Sequence, residues 1–313
     1  MTETLHKGPI LRLGTRNSPL AMAQAHETRA RLCAAHGWDE SMVELVPVVA
    51  SGDKVLDRPL AEIGGKALWT KELDQWLHER QIDASVHSLK DVETLRPAEL
   101  TIAAVLPRAD KRDRLLGAKS LADLPPGAVI GTSAPRRAAQ ALSLRPDCTV
   151  VTFRGNVATR LGKLEAGEAD ATFLAAAGLL RLGQDDLGHA LAPAQWLPAP
   201  AQGAIALECR ADDAETCKLL AAIDHAPSRA EVMAERALLT GLGGTCHSPI
   251  AVLCDYDGEG LTMRAALFSP DGKDKIEDSA QFAAGDLEAP ARLARELLAK
   301  APPSIAAVFN GAS

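Results

Sequence analysis

The sequence predicts a mixed α/β protein: two α/β lobes of the binding-protein type joined by crossovers, then a small α+β unit. Three observations carry this expectation. The chain has 313 residues, about twice a usual single domain, so two or three domains are expected. Strand-like and helical runs alternate up to about residue 225, the pattern of βαβ units. Beyond residue 240 strands follow one another across Asp-Gly turns, and one helix closes the chain.

Taken in order, Ile10–Thr15 reads as a strand. Ser18 and Pro19 read as the cap and first residue of a helix that runs to about Ala35 and stops at Gly37. Val43–Val49 reads as a strand interrupted by Pro47, and Ala50–Lys66, with four Gly or Pro, as a mobile loop. Leu73, Trp76 and Leu77 make Lys66–Arg80 an amphipathic helix. Strands at Ala84–His87 and Thr101–Leu106 follow, and the charged Pro107–Arg114 reads as a crossover. In the second lobe, strands at Ala128–Thr132, Thr149–Phe153 and Ala171–Ala175 alternate with helices at Ser133–Leu144, Val157–Glu165 and Gly178–Leu182. Pro193–Pro200 reads as the connector back, to a strand at Gly203–Glu208 and a helix at Ala214–Ile223. The last unit has a helix at Ser228–Leu239, strands at Ile250–Asp255, Leu261–Phe268 and Lys275–Phe282, and a helix at Leu287–Lys300.

Composition narrows the function classes. Hydrophobic residues are 47% and charged residues 24%, which suits a folded globular chain. No apolar run reaches the ~18 residues of a membrane span, and Met1 to Pro9 is polar, so no secretory signal is expected. Six cysteines without a Cys-x-x-Cys pair argue against a disulfide scaffold or a zinc ribbon, so a cytoplasmic protein without a metal is expected. Aromatics at 3% weigh against nucleic acid. Net charge is -7, yet residues 108–163 hold eleven basic and four acidic side chains. That local surplus of seven leaves the remainder fourteen negative, and it points to an acidic ligand. A solvated basic face is the plainer alternative.

The arginines recur where strands give way to helices. Arg16 precedes the Ser18 cap, Arg136 and Arg137 follow Ser133, and Arg154 precedes the helix holding Arg160. Cations are unfavourable at a helix N-terminus by a few tenths of a kcal/mol, unless an anion completes the site. A salt bridge to a nearby acid is the alternative. Gly64-Gly65-Lys66 lacks the rest of a P-loop, and no Gly-x-Gly-x-x-Gly joins a strand to a helix, so no nucleotide is expected. Lys90 and Asp91 close a strand, where α/β proteins keep their sites. The pair reads either as a surface ion pair or as a cleft carboxylate that stabilises a cation or moves a proton. Cys246 lies in Gly-Gly-Thr-Cys-His-Ser-Pro, where glycines let another group approach the sulfur; an inert buried thiol is the alternative.

Together these segments resemble one family. They are Thr-Arg-Asn-Ser-Pro-Leu-Ala (15–21), Gly-Gly-Lys (64–66), Thr-Lys-Glu-Leu (70–73), His-Ser-Leu-Lys-Asp-Val (87–92) and Gly-Thr-Ser-x-x-Arg-Arg (131–137). Arg-Gly-Asn-Val-x-Thr-Arg (154–160), Ala-Gly-Leu-x-Arg-Leu-Gly (177–183), Gln-Gly-Ala (202–204), Glu-Cys-Arg (208–210) and the Cys246 loop complete the set. In this order and over nearly the whole chain, they resemble porphobilinogen deaminase, also called hydroxymethylbilane synthase. The resemblance implies two periplasmic-binding-protein-like α/β domains, 1–106 with 203–225 and 107–202, and an α+β domain over 226–313. It implies a cytoplasmic, monomeric transferase of tetrapyrrole (porphyrin and haem) biosynthesis, binding no membrane. Such an enzyme condenses four porphobilinogens into hydroxymethylbilane with loss of ammonia, primed by a dipyrromethane joined to Cys246 by a thioether. Asp91 and Lys90 would be catalytic. Arg16, Ser18, Lys66, Thr132, Ser133, Arg136, Arg137, Arg154, Gly155, Asn156, Arg160, Arg181, Gln202 and Gly203 would hold cofactor and substrate, whose pyrroles each carry two carboxylates.

Four positions depart from the family pattern: Glu62, Leu89, Glu93 and Pro135, the last removing a backbone N–H. Two rival readings use the same residues. A non-catalytic binder of small carboxylates needs no role for Cys246. A thiol-dependent hydrolase needs a histidine, such as His247, against it.

Overall fold

The computed structural model describes residues 8–48, 70–243 and 248–309. The chain begins with β1 (Leu11–Arg16), α1 (Pro19–His36) and β2 (Val43–Val48). The start and stop of α1 are those expected. Ser18 Oγ accepts from the Ala21 N–H, Pro19 opens the helix, and Gly37 ends it at φ 66°. After α2 (Lys71–His78) come β3 (Ala84–Ser88) and β4 (Leu100–Val105). The next unit holds β5 (Asp113–Leu116), β6 (Val129–Gly131), α3 (Pro135–Leu144), β7 (Thr149–Val151), α4 (Val157–Glu165), β8 (Ala171–Ala175), α5 (Ala176–Arg181) and β9 (His189–Ala190). The chain returns through β10 (Ile205–Arg210) and α6 (Ala214–Ala221), then α7 (Ala226–Leu242). It ends with β11 (Ile250–Tyr256), β12 (Leu261–Phe268), β13 (Lys275–Phe282), α8 (Glu288–Lys300) and α9 (Pro303–Ala306).

Three sheets result. The first runs β2-β1-β3-β10-β4, the second β7-β6-β8-β5-β9, and the third is the meander β11-β12-β13. The first two share a plan. Three parallel strands stand in each, with the central one first in sequence, followed by one antiparallel strand that arrives from the other unit. The first lobe is therefore incomplete until the chain has passed through the second, whose own strands all lie between Asp113 and Ala190. Pro47 is accommodated because β2 is an edge strand. Each sheet has its own core: Leu11, Leu13, Val86 and Leu207 in the first, Leu115, Ile130, Phe173 and Trp196 in the second, and Leu238, Val252, Met263 and Leu297 in the third.

The crossover Pro107–Arg114 is shorter than the sequence suggests, because Asp113 already begins β5. Strand β9 and the closing helix α9 were not anticipated either. Two residues of β9 are too few for any periodicity to show. The two crossovers lie side by side: Leu106 N–H donates to Ile205 O at 3.0 Å and Ala109 N–H to Gly203 O at 3.3 Å. Gly203 sits at φ +87°, and a Cβ there would meet Ala109 O at 2.7 Å, so a side chain is excluded. Nearby Ala201 is held at φ 56°, a left-handed conformation that costs about 1–3 kcal/mol for a residue other than glycine.

Glu235 of α7 fixes this junction. Its fully buried carboxylate takes both Nη groups of Arg108 at 3.0 and 2.9 Å, the Ala201 N–H at 2.6 Å and the Cys254 N–H at 3.1 Å. One side chain thus ties both crossovers to the third sheet. Glu235→Ala would leave Arg108 buried without its main counter-charge. Unfolding free energy should fall by about 3–5 kcal/mol, as when one partner of a buried pair is removed. A denaturant midpoint that barely moves would show that the junction is held elsewhere.

Candidate active site

The parallel strands of both lobes end on the same groups that carry the sequence motifs, which is where open α/β sheets place ligands. From the first sheet, β1 ends at Arg16 and β3 runs through Ser88 into a short turn at Leu89–Asp91. Arg16, Gln24, Thr70, His87, Ser88 and Asp91 line one pocket there. Gln24, on α1, was not anticipated; its amide and the Ser88 hydroxyl are 2.8 Å apart. The signal available was a long polar residue on the inward face of a helix otherwise buried through Ala21, Ala25, Thr28 and Leu32.

From the second sheet, β6 leads to Thr132 and the first turn of α3, which carries Arg136 and Arg137. Helix α3 starts two residues later than expected, with Ala134 at the cap and Pro135 at the first position. Pro135 therefore removes an N–H that has no intrahelical partner, and the departure is harmless there. Thr132 Oγ1 accepts from the Ala134 N–H at 3.2 Å, and Ser133 is half-buried beside it. Asn156 caps α4, accepting from the Thr159 N–H at 2.9 Å, and Gly155 reaches φ +105° to allow the turn.

Arg136 and Arg137 are not open to the cleft in the simple way the helix-start argument expects. Both are buried, and each donates an Nη2 at 2.7 Å to the fully buried carboxylate of Asp113. Trp196 Nε1 at 2.8 Å and Gln202 Nε2 at 3.0 Å complete four donors on that carboxylate. Burial alone would push Asp113 up, but the two arginines and these donors hold it far below the carboxylate range. The salt-bridge alternative thus describes one side of each guanidinium. Asp113 is hidden in the sequence because it stands at the end of the charged stretch that reads as a crossover, whereas it begins β5. Its signal was one acid heading a short apolar strand inside a basic run.

The two lobes meet electrostatically around Asp91. Lys90 is not a surface residue: burial lowers its pKa, Asp91 and Asp113 oppose this, and Arg137 and Arg136 add to it. Arg160 is held down to about 10 by burial, Arg137 and Arg154, against the pull of Asp91. Lys90, Arg136, Arg137, Arg154 and Arg160 therefore share a region with two anions, Asp91 and Asp113. Arg137 Nε is buried with no hydrogen-bond partner among the described residues. This donor set fits a ligand carrying several carboxylates, which would neutralise the surplus and satisfy the forks. Arg181 stands apart from the cluster, pairing with Glu27 at 3.3 Å and donating to Gly203 O at 3.1 Å. Gln202 is committed to Asp113 and the Lys111 carbonyl. Cys246, Lys66 and Glu62 lie outside the described residues, as does the 50–66 loop. No group of His, Cys, Asp and Glu among the described residues could hold a metal ion.

Such a cleft, cationic at strand ends of two lobes with one carboxylate at its centre, defines a class: enzymes or binders of carboxylated small molecules. Comparison with known proteins resolves the class. Residues 11–218 match the family model described as "Porphobilinogen deaminase, dipyromethane cofactor binding domain", and 229–301 match "Porphobilinogen deaminase, C-terminal domain". The porphobilinogen deaminase of Sphingopyxis alaskensis is 56% identical over 305 residues, 96% of either chain. That of Paracoccus denitrificans is 49% identical over 296 residues, 93% of this chain and 95% of its own. Among solved structures, substrate binding domain 2 of Lactococcus lactis GlnP is similar at 12% identity and TM-score 0.40, too slight a likeness to carry an argument. The chain belongs to the porphobilinogen deaminase family, transferases whose substrate is porphobilinogen and whose larger part binds a dipyrromethane cofactor.

A second buried network underlies the Asp91 turn. Glu208 takes Arg96 in a fork at 2.9 and 2.7 Å, and His87 Nε2 lies 3.5 Å away. Burial pushes the Glu208 carboxyl up; His87 and Arg96 more than reverse this and hold it at about 2, below its ordinary 4.5. A depressed folded-state value means stability that is complete above pH 4.5 and lost as pH falls through about 2. Wild-type unfolding free energy should therefore drop more steeply over that window than that of Glu208→Gln. Parallel acid limbs in the two proteins would contradict the assignment.

Proposed function

We propose that Asp91 is the catalytic anion of this porphobilinogen deaminase and that Lys90 works beside it. The supporting observation is the convergence of cations from both lobes on one region where the Asp91 carboxylate stands just beyond the end of β3. Ammonia leaves the aminomethyl group of porphobilinogen, and positive charge spreads onto the pyrrole nitrogen. A fixed carboxylate facing that charge is stronger in the transition state than in the ground state, and such fixed charges are commonly the largest catalytic contribution. The Lys90 ammonium, easier to deprotonate than a solvated lysine because of its burial, is suited to passing a proton to the departing amine.

Arg16, Ser18, Arg154, Gly155, Asn156 and Arg160 are assigned to the incoming substrate and growing chain. Lys66, Thr132, Ser133, Arg136, Arg137, Arg181, Gln202 and Gly203 are assigned to the dipyrromethane, with Cys246 as its thioether attachment. When bound, that cofactor supplies the free pyrrole α-carbon on which elongation starts. Each arginine also gives its Nη1 to a backbone carbonyl, Leu197 for Arg136 and Phe173 for Arg137, so they serve the cofactor through their charge and through the remaining donor Arg137 Nε, pre-oriented by their hold on Asp113. The domain division assigned is 1–106 with 203–225, 107–202 and 226–313, which follows the three sheets. Free thiols at Cys33, Cys148, Cys209, Cys217 and Cys254 suit a reducing compartment, here the cytoplasm. A monomer is the expected state, checked by light scattering.

Asp91→Asn keeps the shape and removes the anion, so turnover should fall by orders of magnitude with the fold intact. Near-normal ammonia release from porphobilinogen by this variant would remove Asp91 from the mechanism. For the attachment, protein purified from cells should exceed its sequence mass by two linked pyrrole units. Cys246→Ser should lose that increment and activity together, while Cys209→Ser and Cys254→Ser keep the increment. A fully active wild type of unmodified mass would overturn the covalent assignment.

A further inference from the structure

Residue 93, two positions after Asp91, is where three parts of the chain meet. Its carboxylate Oε2 accepts from Thr70 Oγ1 and from Arg96 Nη1, each at 2.8 Å. Its backbone carbonyl accepts from Arg236 Nη2 of α7 at 2.6 Å, and the same guanidinium reaches the carbonyls of Val92 and Thr94. The chain leaving Asp91 is thus gripped on its backbone from α7 and on its side chain from the start of α2.

Thr70 gives this grip its meaning. It occupies the cap position of α2, where a threonine ordinarily turns its hydroxyl onto its own helix, yet it makes no such bond. The hydroxyl is committed to Glu93 instead. Thr70 is buried and lines the same pocket as Asp91 and Val92. The Glu93–Thr70 bond therefore joins two walls of that pocket, 23 residues apart in sequence. Arg96 does not depend on Glu93 for its charge balance, since Glu208 and Asp74 also bind it. Glu93 supplies the short tie between the Asp91 turn and Thr70, at 2.8 Å against 3.5 Å for the contact of Arg96 Nη1 with the same hydroxyl.

We propose that Glu93 is a positioning residue: it holds the Asp91 turn against Thr70 and so sets where the catalytic carboxylate lies. The proposal rests on the assignment of Asp91 as the catalytic anion. Small displacements of a catalytic group are costly in rate while leaving substrate affinity largely alone.

The test uses cofactor-loaded enzyme, with loading checked by intact mass. Glu93→Ala, Thr70→Val, the double variant and Glu93→Gln are compared by kcat and KM for porphobilinogen and by thermal midpoint. Glu93→Ala and Thr70→Val should each lower kcat about tenfold, with KM within about twofold of wild type. The double variant should be no worse than either single one, since both remove the same bond. Glu93→Gln, whose amide oxygen still accepts from Thr70, should recover most of the loss. Unchanged kcat in Glu93→Ala, independent losses that multiply in the double variant, or equal losses in the Gln and Ala variants would each overturn the proposal. Asp91→Asn in parallel separates the two ideas. An active Asp91→Asn beside a slow Glu93→Ala overturns the Asp91 assignment, whereas an inactive Asp91→Asn beside a normal Glu93→Ala overturns positioning alone.

Discussion

The second lobe depends on one buried ion cluster, Asp113 with Arg136 and Arg137. Two adjacent guanidinia in the first turn of a helix repel each other and oppose the positive end of the helix dipole. Desolvating them adds several kcal/mol per ion. A single carboxylate at no exposure, with four donors around its two oxygens, offsets those costs only through geometry. That geometry in turn fixes β5, α3, Trp196 and the second crossover at Gln202 to one point. The cluster carries net positive charge even so. It is an anion site already half filled by the protein, leaving donors such as Arg137 Nε to face something else.

The same economy governs the joint between the units. The first sheet lacks β10 until the chain returns from the second unit, so the first lobe does not fold wholly from contiguous sequence, whereas the five strands of the second sheet all lie between Asp113 and Ala190. Contacts of this kind are non-local, and closure of the two crossovers has to be stabilised by something outside both lobes. Glu235, presented by α7, does so by taking one partner from each crossover and a third from β11. The strained backbone at Ala201 persists because that carboxylate holds its N–H.

Much of this was legible in the sequence, and the reason differs from element to element. Helix α1 was readable at both ends because its signals are local: Ser18, Pro19 and Gly37 act on their own backbone. Helix α4 and strands β8, β12 and β13 were placed to the residue by periodicity and turns. What escaped depends on partners far away in sequence. Asp113 looked like a crossover acid, because the arginines that bury it lie 23 and 24 residues on. Gln24 and Thr70 have roles only through residues 64 and 23 positions distant. The ordered motifs pointed to the family but carried no information on which arginines already hold a protein carboxylate.

That last distinction bears on how the cleft handles a ligand of changing length. Arg136 and Arg137 are locked by Asp113, so they present a rigid, pre-oriented surface suited to a group that stays in place. Arg160 is half-buried, donates one hydrogen bond from Nε to the Gly155 carbonyl, and has its pKa lowered by burial and then by neighbouring cations. It sits on α4, a helix with no fully buried residue, which packs Val157, Leu161 and Leu164 only partly against the lobe. An arginine on such a helix can follow successive carboxylates at small cost in packing, whereas the Asp113 pair cannot move without breaking the core. Burial alone thus separates cations fixed in the core, Arg136 and Arg137, from one carried on a loosely packed helix, Arg160.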